Sequence, residues 1–319
     1  MRILRHPAVL EPADRGSVVA IGNFDGVHLG HQIVIGRSSE IACGLGARLA
    51  VLTFEPHPFQ VFHPEVPPFR LTPFRAKARH IEALGVDLLF VLPFDLEFSK
   101  VAADDFVRKL IVESLAARHA VVGYDFHFGH KRGGTPEVLR QLGERWGFGV
   151  SVVAPLGAPG GTVYSSTRIR QHLAEGRTRQ AAQLLGRSFE IEGRVEMGDR
   201  RGRTIDFPTA NLRLGDYLRP AGGVYAVRVE IEEDSPPRWR DGVANLGTRP
   251  TVGGTDLRLE AHLFDFAGDL YGKHLRVALI EHLRPERKFA GLAELKAQIA
   301  ADAAQARAIL AAEERDAVG

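Results

Sequence analysis

The chain has 319 residues, 45% of them hydrophobic and 25% charged, a mixture that packs globular domains and excludes wholesale disorder. That length exceeds one ordinary domain and suits two. Lys plus Arg number 41 against 39 for Asp plus Glu, a formal net charge of +2, which excludes a scaffold held on nucleic acid mainly by phosphate neutralisation.

The only cysteine, Cys43, rules out an internal disulfide and a multi-Cys zinc site. The start, Met1 to His6, lacks the apolar core of a secretory signal, and no apolar run approaches the roughly 20 residues that span a bilayer. A cytoplasmic protein with no membrane partner is expected.

Val18 to Phe24 reads as a strand and Gln32 to Cys43 as the helix after it, with Gly44-Leu45-Gly46 as its C-cap. Ala50 to Phe54 is the next strand. Thr72-Pro73 reads as an N-cap with proline at the first helical position, opening a helix to about Leu84. Strand Leu88–Leu92, helix Ala103–Ala117, strand Ala120–Tyr124, helix Pro136–Trp146 and strand Gly149–Ala154 continue the series. Apolar runs separated by helices predict a doubly wound parallel sheet, an α/β domain with ligands at the carboxyl ends of its strands.

The pattern changes near Gly186. Phe189–Glu196, Tyr225–Glu232, Leu257–Phe264 and His274–His282 read as strands of an antiparallel β-barrel, with Glu233–Pro237 a solvated hairpin loop. Leu295, Ile299, Ala303, Ala306 and Leu310 recur at helical spacing, so a terminal helix is expected from Leu292. The division predicted is therefore 1–186 and 187–319.

Gly22-Asn23-Phe24-Asp25-Gly26-Val27-His28-Leu29-Gly30-His31 stands where the first strand hands over to its helix. Glycines there let backbone approach a bulky ligand, and the helix N-terminus favours phosphate oxygens. His28 and His31 bracket that terminus, placed to donate to phosphate as charge builds. Two bland alternatives compete: a half metal site, or two surface histidines on a turn. There is no Gly-x-x-x-x-Gly-Lys-Ser/Thr element. Further on, Ser166 and Thr167 can cap a helix from which Arg168 and Arg170 reach a polyphosphate.

In the second half Gly193 and Arg203 belong to a Gly/Arg loop able to surround phosphates, or simply to a solvated basic hairpin. Thr209 and Asn211 supply neutral oxygens suited to Mg²⁺ alongside ATP phosphates. Glu260 is a carboxylate on an otherwise apolar strand, costly there unless it has a task such as taking a hydroxyl proton. An outward-facing strand residue is the plainer alternative.

His28-x-Gly30-His31 with Ser165-Ser166-Thr167-Arg168-Ile169-Arg170 resembles the nucleotidyltransferase superfamily related to class I aminoacyl-tRNA synthetases. Gly22 to His28, Thr53-Phe54-Glu55-Pro56-His57-Pro58 and Gly123-Tyr124-Asp125-Phe126-His127-Phe128-Gly129 narrow the resemblance to the prokaryotic bifunctional riboflavin kinase/FAD synthetase family. So do Pro208-Thr209-Ala210-Asn211, Ala244 to Thr251, the Glu260 strand, Gly268 to Gly272 and Leu283 to Glu286. The resemblance implies adenylyl transfer from ATP to FMN in the first half, giving FAD and pyrophosphate. There His28 and His31 stabilise phosphate charge, Asn23 orients it, Gly22, Phe24 and Gly30 complete the loop, and Arg168 holds the leaving pyrophosphate. Phe62, Asp125 and Phe128 are the expected flavin contacts, with Phe54 and Phe126 in the same aromatic wall.

In the second half the resemblance implies a six-stranded barrel that phosphorylates the ribityl 5′-hydroxyl of riboflavin. Glu260 is its base, Thr209 and Asn211 hold Mg-ATP, and Arg284 lies near the flavin. Asp206 departs from the pattern, because the family usually has glycine before Phe207-Pro208-Thr209. The expected partners are thus riboflavin, FMN and ATP, with transient handover to apo-flavoproteins. Two rival readings are a single-function nucleotidyltransferase whose barrel only binds flavin, and a non-enzymatic flavin carrier.

Overall fold

Val18, Val19, Ala20 and Ile21 are each at most 2% exposed, and their side chains divide by period two. Val19 and Ile21 join one hydrophobic cluster while Val18 and Ala20 join another, so this strand lies in a sheet covered on both faces. The computed structural model describes residues 1–5, 10–155, 157–158, 162–197, 207–251 and 254–318. Two compact units result, one of 1–67 and 72–165, the other of 68–71 and 166–319.

The first unit contains β1 (Arg2–Leu4), β2 (Val18–Ile21), α1 (Leu29–Leu45), β3 (Leu49–Glu55), α2 (Pro58–Phe62), α3 (Phe74–Glu82) and β4 (Leu88–Pro93). Then come α4 (Ala103–Asp105), running on as a π-helical segment Phe106–Ser114, β5 (His119–Gly123), α5 (Pro136–Trp146), β6 (Gly149–Val153) and the short pair β7 (Gly157–Ala158) and β8 (Thr162–Val163). Six parallel strands stand in the order β1-β4-β3-β2-β5-β6. α1 and α3 contribute Val34, Ile35, Ala78 and Ile81 to one core. Phe106, Ile111, Leu139 and Leu142 fill the other. The doubly wound parallel sheet is as expected. The chain leaves β2 toward β3 on one side and later returns to β5 on the other. The loop after β2 therefore sits at the topological switch point, where open α/β sheets bind ligands.

The second unit holds α6 (Ser166–Ala174), α7 (Thr178–Leu185), β9 (Phe189–Arg194), β10 (Ala210–Arg213), β11 (Gly223–Ile231), β12 (Trp239–Thr251), β13 (Gly254–Leu263), β14 (His274–Arg284) and α8 (Leu292–Val318). Its strands run antiparallel in the order β10-β13-β12-β11-β14-β9, and a bridge between Glu196 and Asn211 brings the two edges together into a nearly closed barrel. Ala306 and Leu310 of α8 pack on Val224, Ala226, Val243 and Ile280, which is the apolar stripe expected of the terminal helix.

Several local expectations need correction. The first strand ends at Ile21, because Phe24, Gly26 and Val27 take positive φ (51°, 90° and 42°) and turn the chain out of the sheet. Thr72 does not cap α3. Its hydroxyl is taken by the loop after β2, and Pro73 occupies the cap position without a side-chain bond. The helix expected over Ala103–Ala117 is π-helical from Phe106 and stops at Ser114. Strands β1, β7, β8, β10 and β12 were not expected: four of these are short, and Gly242, Gly247 and Pro250 interrupt the alternation of β12.

Candidate active sites

In the first unit the segment from Gly22 to His31 builds its shape from backbone. Asp25 is 2% exposed and its Oδ1 accepts from the backbone N–H of Thr72 at 3.0 Å and from the Thr72 hydroxyl at 3.4 Å. The Thr72 hydroxyl in turn accepts from the Gly26 N–H at 2.8 Å. Asp25 and Thr72 thus lock the turn from within. Asn23, by contrast, keeps an exposed side chain while its carbonyl accepts from the Thr53 hydroxyl at 3.1 Å.

His28 is the N-cap of α1, and its Nδ1 accepts from the His31 N–H at 3.3 Å. A ring nitrogen that accepts carries no proton, so neutral His28 holds its proton on Nε2. The two imidazoles stack with centroids 3.6 Å apart and 17° between planes, and Phe24 stands edge-on to His31 at 5.3 Å. A Cβ at Gly30 would lie 3.1–3.2 Å from Tyr164 and His28, tighter than ordinary contact. Next to Gly22 lies the Phe24 ring, 3.3 Å from where a Cβ would be. Gly22, Phe24, His28, Gly30 and His31 are therefore brought together beside the α1 N-terminus. Among the described residues no group of three or more His, Cys, Asp or Glu that could hold a metal occurs.

Phe62 and Phe128 are joined by a chain of rings. Phe62 meets Phe94 at 5.8 Å, Phe94 meets Phe98 at 5.7 Å, Phe98 meets Phe106 at 6.3 Å and Phe106 meets Phe128 at 5.4 Å. Phe54 joins through Phe94 and Phe98, and Phe126 stacks on Phe128 at 5.4 Å. Phe62 is 51% exposed whereas Phe128 is 6% exposed. Asp125 is exposed beside Gly123. Phe94 and Phe98 escaped sequence reasoning because neither falls in a motif.

Ser166, Thr167 and Arg168 form the first turn of α6, in the second unit. Arg168 is exposed. Arg170 is committed elsewhere, its Nε donating to the Phe69 carbonyl at 2.9 Å and its guanidinium lying 5.3 Å from the Phe69 ring.

In the second unit register places the chemistry. Asn211 of β10 is directly opposite Glu260 of β13, and Glu260 is directly opposite Asn245 of β12. Residues paired in this way project to the same face, so an amide, a carboxylate and an amide stand side by side across three strands. All three line a cavity of 360 Å³, with Thr209, Tyr271 and Arg284 among the other lining residues. Asn211 is 5% exposed, and its Nδ2 donates to the Thr209 carbonyl at 3.4 Å. Its Oδ1 is buried with no hydrogen-bond partner, a cost a native structure accepts where a ligand supplies the partner.

Asn245 Nδ2 donates to Glu286 Oε1 at 3.2 Å, and Gly247 leaves the space that carboxylate needs: a Cβ there would meet it at 2.1 Å. Arg284 is held by α8, its Nε 2.9 and 3.1 Å and its Nη2 2.7 Å from the Asp302 carboxylate, while Nη1 donates to the Pro285 carbonyl. His262 stacks on Phe207 at 3.6 Å and pairs through Nδ1 with the Pro208 carbonyl at 2.8 Å. Burial holds this imidazole's pKa below the usual value, against the raising effect of the Pro208 bond. Gly193 lies within β9, its Cβ position nearest to Leu212, and does not line the cavity. Arg203 and Asp206 lie outside the described residues.

A family model described as FAD synthetase matches residues 10–168 and one described as riboflavin kinase matches 185–310. The chain is similar to the bifunctional riboflavin kinase/FMN adenylyltransferase of Escherichia coli strain K12, 42% identical over 308 residues covering 96% of this chain and 97% of that one. It is 43% identical to the protein of the same description from Pseudomonas fluorescens over 312 residues, 98% of each chain. A solved structure described as a macrolide-efflux protein from Streptococcus pneumoniae matches with a TM-score of 0.83 and 31% identity, over 94% of this chain and 97% of that one. Among the described residues no helix is long and apolar enough to cross a membrane.

Proposed function

The chain belongs to the family of bifunctional riboflavin kinase/FMN adenylyltransferases, and we propose from that premise how its residues carry the two reactions. The C-terminal riboflavin kinase converts riboflavin and ATP to FMN and ADP. The N-terminal FAD synthetase converts FMN and ATP to FAD and pyrophosphate. The proposed division is residues 187–319 for the first reaction and 1–186 for the second.

In the kinase the ribityl 5′-hydroxyl oxygen attacks the γ-phosphorus, the bond to the β-phosphate oxygen breaks, and Glu260 takes the hydroxyl proton. The observation that carries this assignment is the pairing of Glu260 with Asn211, whose buried Oδ1 lacks a partner within the same cavity. That orphaned oxygen beside Thr209 fits a hard cation better than an apolar ligand, so Thr209 and Asn211 are the residues to hold Mg²⁺. When bound with ATP, the metal supplies neutralisation of phosphate charge. Arg284, fixed by Asp302, forms part of the wall on which riboflavin rests.

In the adenylyltransferase an oxygen of the FMN phosphate attacks the α-phosphorus and pyrophosphate leaves. The attacking group is already anionic, so no base is required. His28 donates Nε2–H to a phosphate oxygen, His31 stacked on it adds charge stabilisation, and Asn23 and the amides around Gly30 orient the triphosphate. On the sequence resemblance alone, Ser166, Thr167 and Arg168 are assigned to the pyrophosphate, and Phe62, Asp125 and Phe128 to the flavin. A cytoplasmic location and release of both products to apo-flavoproteins complete the reading.

Purified variants test the division. Glu260→Gln should lose FMN formation and keep FMN→FAD conversion, while His28→Ala should show the reverse. Loss of both reactions by either variant, in a folded protein, contradicts it.

A further inference from the structure

Lys77 is 0% exposed on the first turn of α3, an unusual place for an ammonium group. Its Nζ lies 2.9 Å from Glu55 Oε1 and 3.4 Å from Thr53 Oγ1. Thr53 is itself 0% exposed, and its hydroxyl donates to the Asn23 carbonyl at 3.1 Å. The direction of this chain is fixed by chemistry. An ammonium can only donate, so the Thr53 oxygen accepts from Lys77 and must send its own proton to Asn23. A hydroxyl polarised by a buried cation is a stronger donor than one in isolation.

Asn23 receives that bond on its backbone while its side chain is exposed at the carboxyl end of β2. The same stretch of chain grips the loop again at Thr72, which takes the Gly26 N–H and binds Asp25. Two fixed points, three residues apart along the loop, leave it little freedom to shift against an incoming phosphate. A purely structural ion pair would need only Lys77 and Glu55, with no route into the loop.

We propose that Lys77 is a positioning residue for adenylyl transfer: through the Thr53 hydroxyl it sets the height of Asn23 in the phosphate loop, with Glu55 balancing its charge. The inference rests on the assignment of that reaction to the residues around His28. Its role is in the transition state, because a loop displaced by a fraction of an ångström still binds ATP but misaligns the α-phosphorus.

The test uses the full-length protein and four variants, Thr53→Val, Thr53→Ser, Lys77→Met with Glu55→Gln, and His28→Ala. Each is assayed for FMN→FAD and for riboflavin→FMN. Thr53→Val keeps the shape but removes the relay, and kcat for FAD formation should fall about tenfold or more with KM for ATP within about twofold. Thr53→Ser restores the hydroxyl and should restore kcat. The charge-balanced double variant should match Thr53→Val, and riboflavin phosphorylation should be unchanged in all four. Full adenylyl transfer by Thr53→Val, equal losses in Thr53→Ser and Thr53→Val, or a parallel fall in riboflavin phosphorylation would each overturn the proposal. His28→Ala separates the two levels: if it keeps FAD synthesis the site assignment fails and the relay with it. If it loses FAD synthesis while Thr53→Val does not, the relay alone is wrong.

Discussion

The proposed phosphate loop of the first unit and the barrel cavity of the second are built in opposite ways. Ten consecutive residues, Gly22 to His31, supply the first, and its shape is written in positive φ angles, an N-cap and a lock between Asp25 and Thr72. Asn211, Asn245 and Glu260 supply the second from three strands, and only pairing register brings them into one row. A site made from contiguous backbone survives movement of its surroundings as long as the turn is locked. A site made by register fails if any one strand slips, because a shift of one residue turns a side chain to the other face.

The sharpest contrast comes from removing the group at the centre of each. Glu260→Gln should lower riboflavin phosphorylation by about 10²–10⁴-fold, the range for a lost general base, with FAD formation from FMN unchanged. His28→Ala should lower FAD formation by about 10²-fold or more through lost charge stabilisation and leave the kinase intact. Steady-state rates with each substrate pair check both.

The register argument is probed next by Asp302→Ala. It strips Arg284 of its carboxylate and leaves the guanidinium, 20% exposed, without its main partner. A stability loss of about 3 kcal/mol is expected, at the low end for breaking a buried pair because the arginine is partly solvated. Chemical denaturation of the whole chain, with a probe in each unit, should show the loss in the barrel alone. Asn211→Leu fills the place of the partnerless amide with apolar surface. Stability should hold or rise slightly while kinase activity falls and its Mg²⁺ requirement shifts upward. Unchanged magnesium dependence would remove Asn211 from the metal site.

The smallest effect is in pH. Burial depresses the His262 pKa in the folded protein from 6.5, so the unfolded chain binds the extra proton first as pH falls. Its contribution to stability is present above pH 6.5 and is lost as pH falls through the depressed folded-state value. His262→Phe should flatten that part of the acid limb of a stability profile. An unaltered limb would mean that other groups, such as the likewise depressed His119 of the first unit, dominate it.

The same contrast explains what could be seen from the sequence. The grouping of Gly22–His31 as a candidate site was legible because neighbours in sequence remain neighbours in the fold. So were the central strands of the parallel sheet, whose continuous apolar runs are buried on both faces. Thr209, Asn211 and Glu260 could be picked out singly as chemistry on apolar strands, but their adjacency could not, since β10 was not recognised and register has no local signature. Lys77 was missed for a related reason. On the sequence it is one lysine on an amphipathic helix, and only the packing of α3 against the sheet reveals its full burial. Thr72 carried a genuine N-cap pattern with proline after it, yet a tertiary partner, Asp25, claimed the hydroxyl.

The proposed assignment of the two reactions to two sites that exchange FMN through solution is tested directly by one mixing experiment. His28→Ala and Glu260→Gln proteins, each given riboflavin, ATP and Mg²⁺, should make FMN alone and no flavin product, respectively. Mixed in equal amounts they should produce FAD, as FMN from the first is adenylated by the second. Absence of FAD from the mixture, with both proteins folded, would contradict the division of labour between the loop and the barrel.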